Sequence, residues 1–351
     1  MADRDRFGLR GSVKVCEIHR TWYSRGCGSS VCETEERTDL TTVEFRPDGS
    51  LERHWYKNSP PNSLEWTYFY EYRDDNQLAA VRFEQGSSVS TARHYEYDSS
   101  ARISRITEVD KEGNPRVAET YVYEADGRKK NIVHIDPELS AGQWGTTGCG
   151  TIFGVEGTEV GYGAPGATSI TSNYDERGLP IEHLFHDNSG KLVTRVDLRY
   201  NQRGNLVEEV CAQKVPDELA AQLSPQQLEA VRMMFTSGQR HRYDEHDRRI
   251  ETSSNNAPND FEREMFAYND FGDVIQQISE SSHAEYNFGE EGELTPKANS
   301  IRSHRSETQF RYRYDPHGNW IEKIVEAPDG TIRSAERRTI RYFDPPSVLR
   351  N

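Results

Sequence analysis

Tyr312-Arg313-Tyr314-Asp315-Pro316-His317-Gly318-Asn319-Trp320 reads as a strand, a turn and a returning strand. Side chains alternate across a pleated strand, so the rings of Tyr312 and Tyr314 share one face. Asp315 is placed to accept backbone N–H groups just ahead of it, and Pro316 presets φ for the second residue of a type I turn. Gly318 offers the positive φ that such a turn with a bulge requires before the chain runs back to Trp320.

Looser copies run from near residue 45 to near residue 344. Asp98, Asp175, Asn201, Asp244 and Asn269 each follow an aromatic residue as Asp315 does, and Gly178, Gly204 and Gly272 take the place of Gly318. From aromatic to glycine, or to its Asn, Ala or Asp substitute, the step is usually four residues. The clearest single strand is Trp66, Tyr68, Tyr70 and Tyr72 alternating with Thr67, Phe69 and Glu71, a period of two.

Two stretches break the rhythm. Residues 136–172 carry nine glycines and no long strand pattern, and a loop of that length in an ordered array is functional or disordered more often than neutral. Residues 216–238 read as helix, with Ser224 as N-cap, Pro225 at the first helical position and Gln227 completing a capping box. Leu228, Val231 and Phe235 fall on one face, and Gly238 is expected to stop the helix.

Composition narrows the function classes. The 351 residues carry a formal net charge of −15, so phosphate backbones and anionic lipid surfaces are repelled and no nucleic-acid partner is expected. No apolar run reaches the roughly 18 residues that a spanning helix needs, which predicts no membrane span. With 18 Tyr, 13 Phe and 5 Trp the chain is too aromatic for disorder and suits sheets with one packed and one wet face. No apolar leader follows Met1, so no signal peptide is visible. Five cysteines leave at least one thiol free or paired outside the chain.

The pattern aromatic-x-Tyr-Asp-x-x-Gly-x-Leu resembles the YD repeat of the RHS family, over roughly residues 41–344. The start Gly8-Leu9-Arg10-Gly11-Ser12-Val13-Lys14 and the copy at 314–320 resemble small bacterial YD-repeat proteins of uncharacterised role. The resemblance implies an all-β fold: an elongated, twisted antiparallel array of β-hairpins forming a curved sheet, with one helical insertion. It also implies a secreted or periplasmic location. The expected layout is opening strands over 1–40, a repeat sheet over 41–344 with the insertions 136–172 and 216–238, and a tail over 345–351.

Candidate chemistry is sparse. The recurring Asp and Asn residues read as turn caps before they read as catalytic acids. A stripe of flat aromatic faces can stack on carbohydrate as well as on its neighbours, which singles out Trp66, Tyr68, Trp144 and Trp320 as ligand-binding residues. Cys16, Cys27 and Cys32 are candidates for a disulfide in an oxidising compartment, and their spacing with His19 fits no familiar zinc site. Cys149, with His134 or His183 as base, is a nucleophile candidate with no local motif behind it. Gly161-Tyr162-Gly163-Ala164-Pro165-Gly166 lacks the strand–helix context of a dinucleotide loop. No cofactor and no metal are expected, and oligomeric state is left open. Three function classes stand: a non-enzymatic binding or scaffold protein taking carbohydrate or protein, an accessory or fragment of an Rhs-type toxin-delivery system, and an enzyme with a site on the 136–172 loop.

Overall fold

The computed structural model describes residues 3–27, 32–58, 65–86, 88–125, 127, 130–135, 151–153, 160–162, 167–257, 260–288, 294–297 and 300–343. A short helix α1 (Asp3–Arg6) precedes β1 (Val13–Cys27), β2 (Cys32–Phe45), β3 (Leu51–Asn58), β4 (Glu65–Tyr72), β5 (Leu78–Gln85), β6 (Ser88–Tyr97), β7 (Ile103–Val109), β8 (Pro115–Tyr123) and β9 (Lys130–Ile135). Then come β10 (Thr151–Phe153), β11 (Val160–Tyr162), β12 (Ser169–Tyr174), β13 (Pro180–His186), β14 (Leu192–Tyr200) and β15 (Leu206–Gln213). Helices α2 (Asp217–Ala220) and α3 (Pro225–Met234) lead into β16 (Thr236–Tyr243), β17 (Arg249–Ala257), β18 (Asp260–Tyr268) and β19 (Val274–His283). The chain ends with β20 (Tyr286–Phe288), β21 (Leu294–Pro296), β22 (Arg302–Tyr314), β23 (Trp320–Glu326) and β24 (Ile332–Tyr342).

The expected open array is corrected by the strand pairing. Each strand of a 20-stranded sheet pairs with the next, β9 passes to β12 and β19 to β22, and β24 pairs back with β1. That last ladder runs from Val13↔Tyr342 to Trp22↔Ser334. The sheet is therefore a closed antiparallel barrel in its pairing. An open array leaves two edge strands with unsatisfied N–H and C=O groups, whereas here the first and last strands satisfy each other. The expected division at residues 40 and 41 falls inside β2.

The expectation of no membrane span is also withdrawn. Counting apolar runs tests helices only, and among the described residues no helix is long and apolar enough to cross. A closed antiparallel barrel is the other architecture that can cross, so the count excludes nothing about strands.

The turns follow the local chemistry. Asp315 Oδ1 accepts the N–H groups of His317 and Asn319, both at 2.9 Å, while Gly318 N–H returns to the Asp315 carbonyl at 3.0 Å. Asp98, Asp175, Asp187, Asn201, Asp244 and Asn269 accept the same two N–H groups, two and four residues ahead. Where the first turn residue is Arg46, Arg73 or Ala327, an Asp two places on takes over: Asp48, Asp75 and Asp329 each accept the N–H two residues ahead of themselves. Gly178, Gly204, Gly272 and Gly318 all have φ between +79° and +89°, and three turns place Asn76, Ala101 and Asp247 at φ of +60° to +64° instead.

A left-handed conformation costs a residue with a Cβ roughly 1–2 kcal/mol. Ala101 makes no compensating side-chain bond of the kind Asp247 makes with Asn205. Ala101→Gly should therefore raise stability by about 1 kcal/mol, offset in part by greater freedom of the unfolded chain. A denaturant midpoint at or below that of the parent protein would show the turn to be unstrained.

Neighbouring hairpins are joined by a contact that sequence reading did not anticipate. Beside ring-on-ring contacts, four tyrosines ahead of a turn present their rings to an arginine of the preceding turn: Arg46 over Tyr72, Arg73 over Tyr97, Arg102 over Tyr123 and Arg248 over Tyr268, at 4.2 to 5.0 Å. The hydroxyls of Tyr97, Tyr123, Tyr243 and Tyr268 then donate to the carbonyls of Leu78, Ile103, Leu206 and Arg249 at the start of the previous returning strand. Tyr97, Tyr123 and Tyr268 thus each bury a ring under a cation and satisfy the polar tip, a local arrangement that the repeat spacing reproduces.

The chain comprises two compact units. One is Met1–Tyr97 with Ile106–Arg116 and Thr308–Asn351, the other Asp98–Arg105 with Val117–Glu307. In the first unit the two quoted ends meet. Asn319, 1% exposed, accepts Arg10 N–H at 2.6 Å, donates to the Arg10 carbonyl at 2.9 Å and donates to the Tyr342 hydroxyl at 2.7 Å. The Tyr342 hydroxyl in turn donates to Asp315. In the second unit Ala167, Ile170, Phe185, Val196, Leu198 and Cys211 form a buried cluster, flanked by Ile132, Val193, Tyr200 and Leu206. Helix α3 has the expected capping box, with Ser224 Oγ accepting from Gln227 N–H and Gln227 Oε1 accepting from Ser224 N–H. It ends at Met234 rather than at Gly238, because Thr236 already begins β16 and Gly238 is paired with Val210.

Candidate binding face

The strand alternation in the first unit sorts side chains onto two faces. One face holds Arg–Glu pairs such as Arg311 with Glu326, and Arg313 and Arg337 with Glu322, the arginines 64–74% exposed. The other carries the aromatic residues. On β3 the period of two brings His54 and Tyr56 to that face, and β4 adds Trp66 and Tyr68 opposite them, through the register pairs Tyr56↔Trp66 and His54↔Tyr68. β5 continues the row with Phe83 opposite Tyr68.

The rings form a continuous, half-buried stack. Tyr56 lies parallel to Trp66 at 4.9 Å, Trp66 meets Tyr68 edge-on at 5.3 Å, and Tyr68 tilts against Phe83 at 5.0 Å. His54 packs on Trp66 at 5.4 Å and on Phe7 at 6.0 Å, so the N-terminal segment closes one end of the stack. Burial pushes the His54 imidazole below its usual range, which keeps it neutral near pH 7. Burial also raises the Tyr68 hydroxyl, and burial with the nearby Asp39 carboxylate raises that of Tyr56, so both remain donors.

Trp66 and Tyr68 are therefore brought together, and Trp320 is not. Trp320 belongs to a second patch, with Tyr312 at 6.3 Å and the Arg338 guanidinium 3.4 Å from the centre of its ring. It lies on β23, five strand steps from Trp66 on β4, or roughly 24 Å at the usual strand spacing. Trp144 and Cys149 lie outside the described residues. The turn residues singled out from sequence lie at hairpin ends, as described above, and none joins the stack.

The cysteines are arranged differently from the expectation. Cys16 is a free thiol, buried on β1, so it is removed from the proposed disulfide set; burial lifts its pKa to about 11, which leaves it unreactive. Cys27 and Cys32 are register partners on β1 and β2. Cys211, which was not singled out, is disulfide-bonded. His183, proposed as a base, has its Nδ1 2.8 Å from Ser172 Oγ, and burial lowers its pKa to about 4.

Sequence reading missed His54, Tyr56, Phe83 and the charged neighbours of the stack. The only signal available was the alternation in Leu51 to Tyr56; which strand faces which is a matter of register.

No family model matches the chain, and no curated protein matches it. Neither comparison supports the resemblance to the RHS and YD-repeat family. Among solved structures, a porin-like protein from Bacteroides uniformis is similar at 12% identity, covering 95% of this chain and 99% of that one, with a TM-score of 0.35. A porin-like protein from Bacteroides vulgatus aligns at 10% identity over 96% of this chain and 100% of that one, with a TM-score of 0.21. The Photorhabdus luminescens Tc holotoxin pore aligns at 9% identity over 84% of this chain and 19% of that one, with a TM-score of 0.24.

Proposed function

We propose that this protein is a non-enzymatic binding protein that takes carbohydrate on the aromatic face of its first unit, and that it works outside the cytoplasm. The observation that carries the reading is the Tyr56–Trp66–Tyr68–Phe83 stack, a row of flat, half-buried rings with hydroxyl donors at its margin. Such rings can cover the apolar face of a sugar while the hydroxyls meet its polar edge. The bonded state of Cys211 supports a location in an oxidising compartment, since cytosolic thiols are kept reduced.

The test is a titration of the full chain with a panel of oligosaccharides, followed by tryptophan fluorescence and calorimetry. Trp66→Ala, with its fold checked by circular dichroism, should weaken binding about 30-fold, the scale of a buried aromatic anchor. Trp66→Phe should retain part of the affinity. Binding unchanged in Trp66→Ala would move the site elsewhere, and silence across the whole panel would end the carbohydrate reading.

A further inference from the structure

The register places a row of charges beside the aromatic stack. Lys323 faces Glu336, Glu336 faces Arg20, Arg20 faces Asp39, and Asp39 faces Asn58, across β23, β24, β1, β2 and β3. Signs alternate along the row. Arg20 Nε donates to Glu336 at 3.0 Å, and the Arg20 guanidinium also lies 5.5 Å from the ring of Trp22. Trp22 Nε1–H donates to Asp39 at 3.3 Å, and the Tyr56 hydroxyl also bonds Asp39. Tyr56 is a member of the stack, so charge row and stack are joined through Asp39.

From this juxtaposition we infer that the binding face selects a neutral oligosaccharide, stacked on Trp66 and Tyr56 and held at its hydroxyls by Arg20 and Asp39. The inference rests on the carbohydrate reading above and deepens it. A row of two cations and two anions in alternation has no net charge to offer a polyanion or a polycation. It does offer alternating donors and acceptors, which is what the vicinal hydroxyls of a neutral sugar require. Arg20 retains guanidinium N–H donors beyond its bond to Glu336, and a carboxylate such as Asp39 has about four acceptor positions. Trp22, 45% exposed, supplies a further ring on the far side of the row. The formal net charge of −15 adds a general repulsion against acidic polysaccharides.

The experiment compares three probes on the full chain by calorimetry at two salt concentrations: a neutral gluco-hexasaccharide, an oligogalacturonate and a chitosan oligomer. The expected result is binding of the neutral probe alone, with an affinity that changes less than threefold between low and high salt. Arg20→Ala and Asp39→Asn should each weaken it at least tenfold, and Trp22→Ala should weaken it by less. Tighter binding of either charged probe, lost in Trp66→Ala, would overturn the inference while leaving the carbohydrate reading intact. So would neutral binding that Arg20→Ala and Asp39→Asn leave unchanged. Failure of all three probes, and of the wider panel, would instead overturn the reading itself. Should Arg20→Ala fail to fold through loss of its bond to buried Glu336, Asp39→Asn carries the decision, because it keeps the shape of the side chain.

Discussion

Asn319→Ala should be among the most destabilising single changes in this protein, lowering stability by about 3 kcal/mol. The side chain is 1% exposed and makes three bonds: two to the backbone of Arg10 and one to the Tyr342 hydroxyl. Removing it takes away all three part-buried bonds at once, each worth roughly 0.5–1.5 kcal/mol net. The loss also propagates. Tyr342 holds Asp315, whose carboxylate sits below its usual range because bonds from Tyr342, Asn319 and His317 together outweigh the upward push of burial. Asn319→Asp is the sharper variant, since it keeps the shape but replaces two donors with an acceptor next to Asp315. Both should lower the denaturant midpoint and speed amide exchange over Leu9 to Lys14. A midpoint within error of the parent, with unchanged exchange there, would mean that the β1–β24 ladder closes the sheet without this clamp.

Phe185→Ala should cost about 3–5 kcal/mol, the range for deleting a buried aromatic ring from a core that cannot collapse. Phe185 is 1% exposed and sits in the second unit among Ile170, Val196, Leu198 and Cys211. β12, β13, β14 and β15 all contribute to that cluster, so the cavity would open between strands that are tied to one another by ladders. Phe185→Leu should cost markedly less, because most of the apolar volume remains. If the two variants proved equally stable, the ring would not be filling the space assigned to it. Because Phe185 and Asn319 belong to different units and share no partner, their effects should add.

The two losses differ in how visible they were beforehand. In the sequence Phe185 is one aromatic residue among many, and its depth follows from four strands contributing to the cluster around it. Asn319 lay inside the most regular repeat of the chain, and Arg10 inside a start already singled out. Nothing in either stretch says that they touch, since 309 residues separate them.

The same division runs through the binding face. Trp66 and Tyr68 were legible because a period of two is a local property of one strand. Their partnership with Tyr56, His54 and Phe83, and their distance from Trp320, depend on register and strand order. The charge row is invisible in sequence, because its members are scattered from Arg20 to Glu336 and alternate in sign only once four strands are laid side by side.

What the chain determines by itself is each hairpin. An acidic or amide side chain that caps N–H groups two and four residues ahead, and a residue with positive φ, act within five residues, where no distant partner can override them. Whether the row of hairpins stays open or closes was decided by tertiary structure alone. Closure depends on the first and last strands exchanging backbone hydrogen bonds, and backbone groups are the same in every residue, so no side-chain pattern announces which edges will meet.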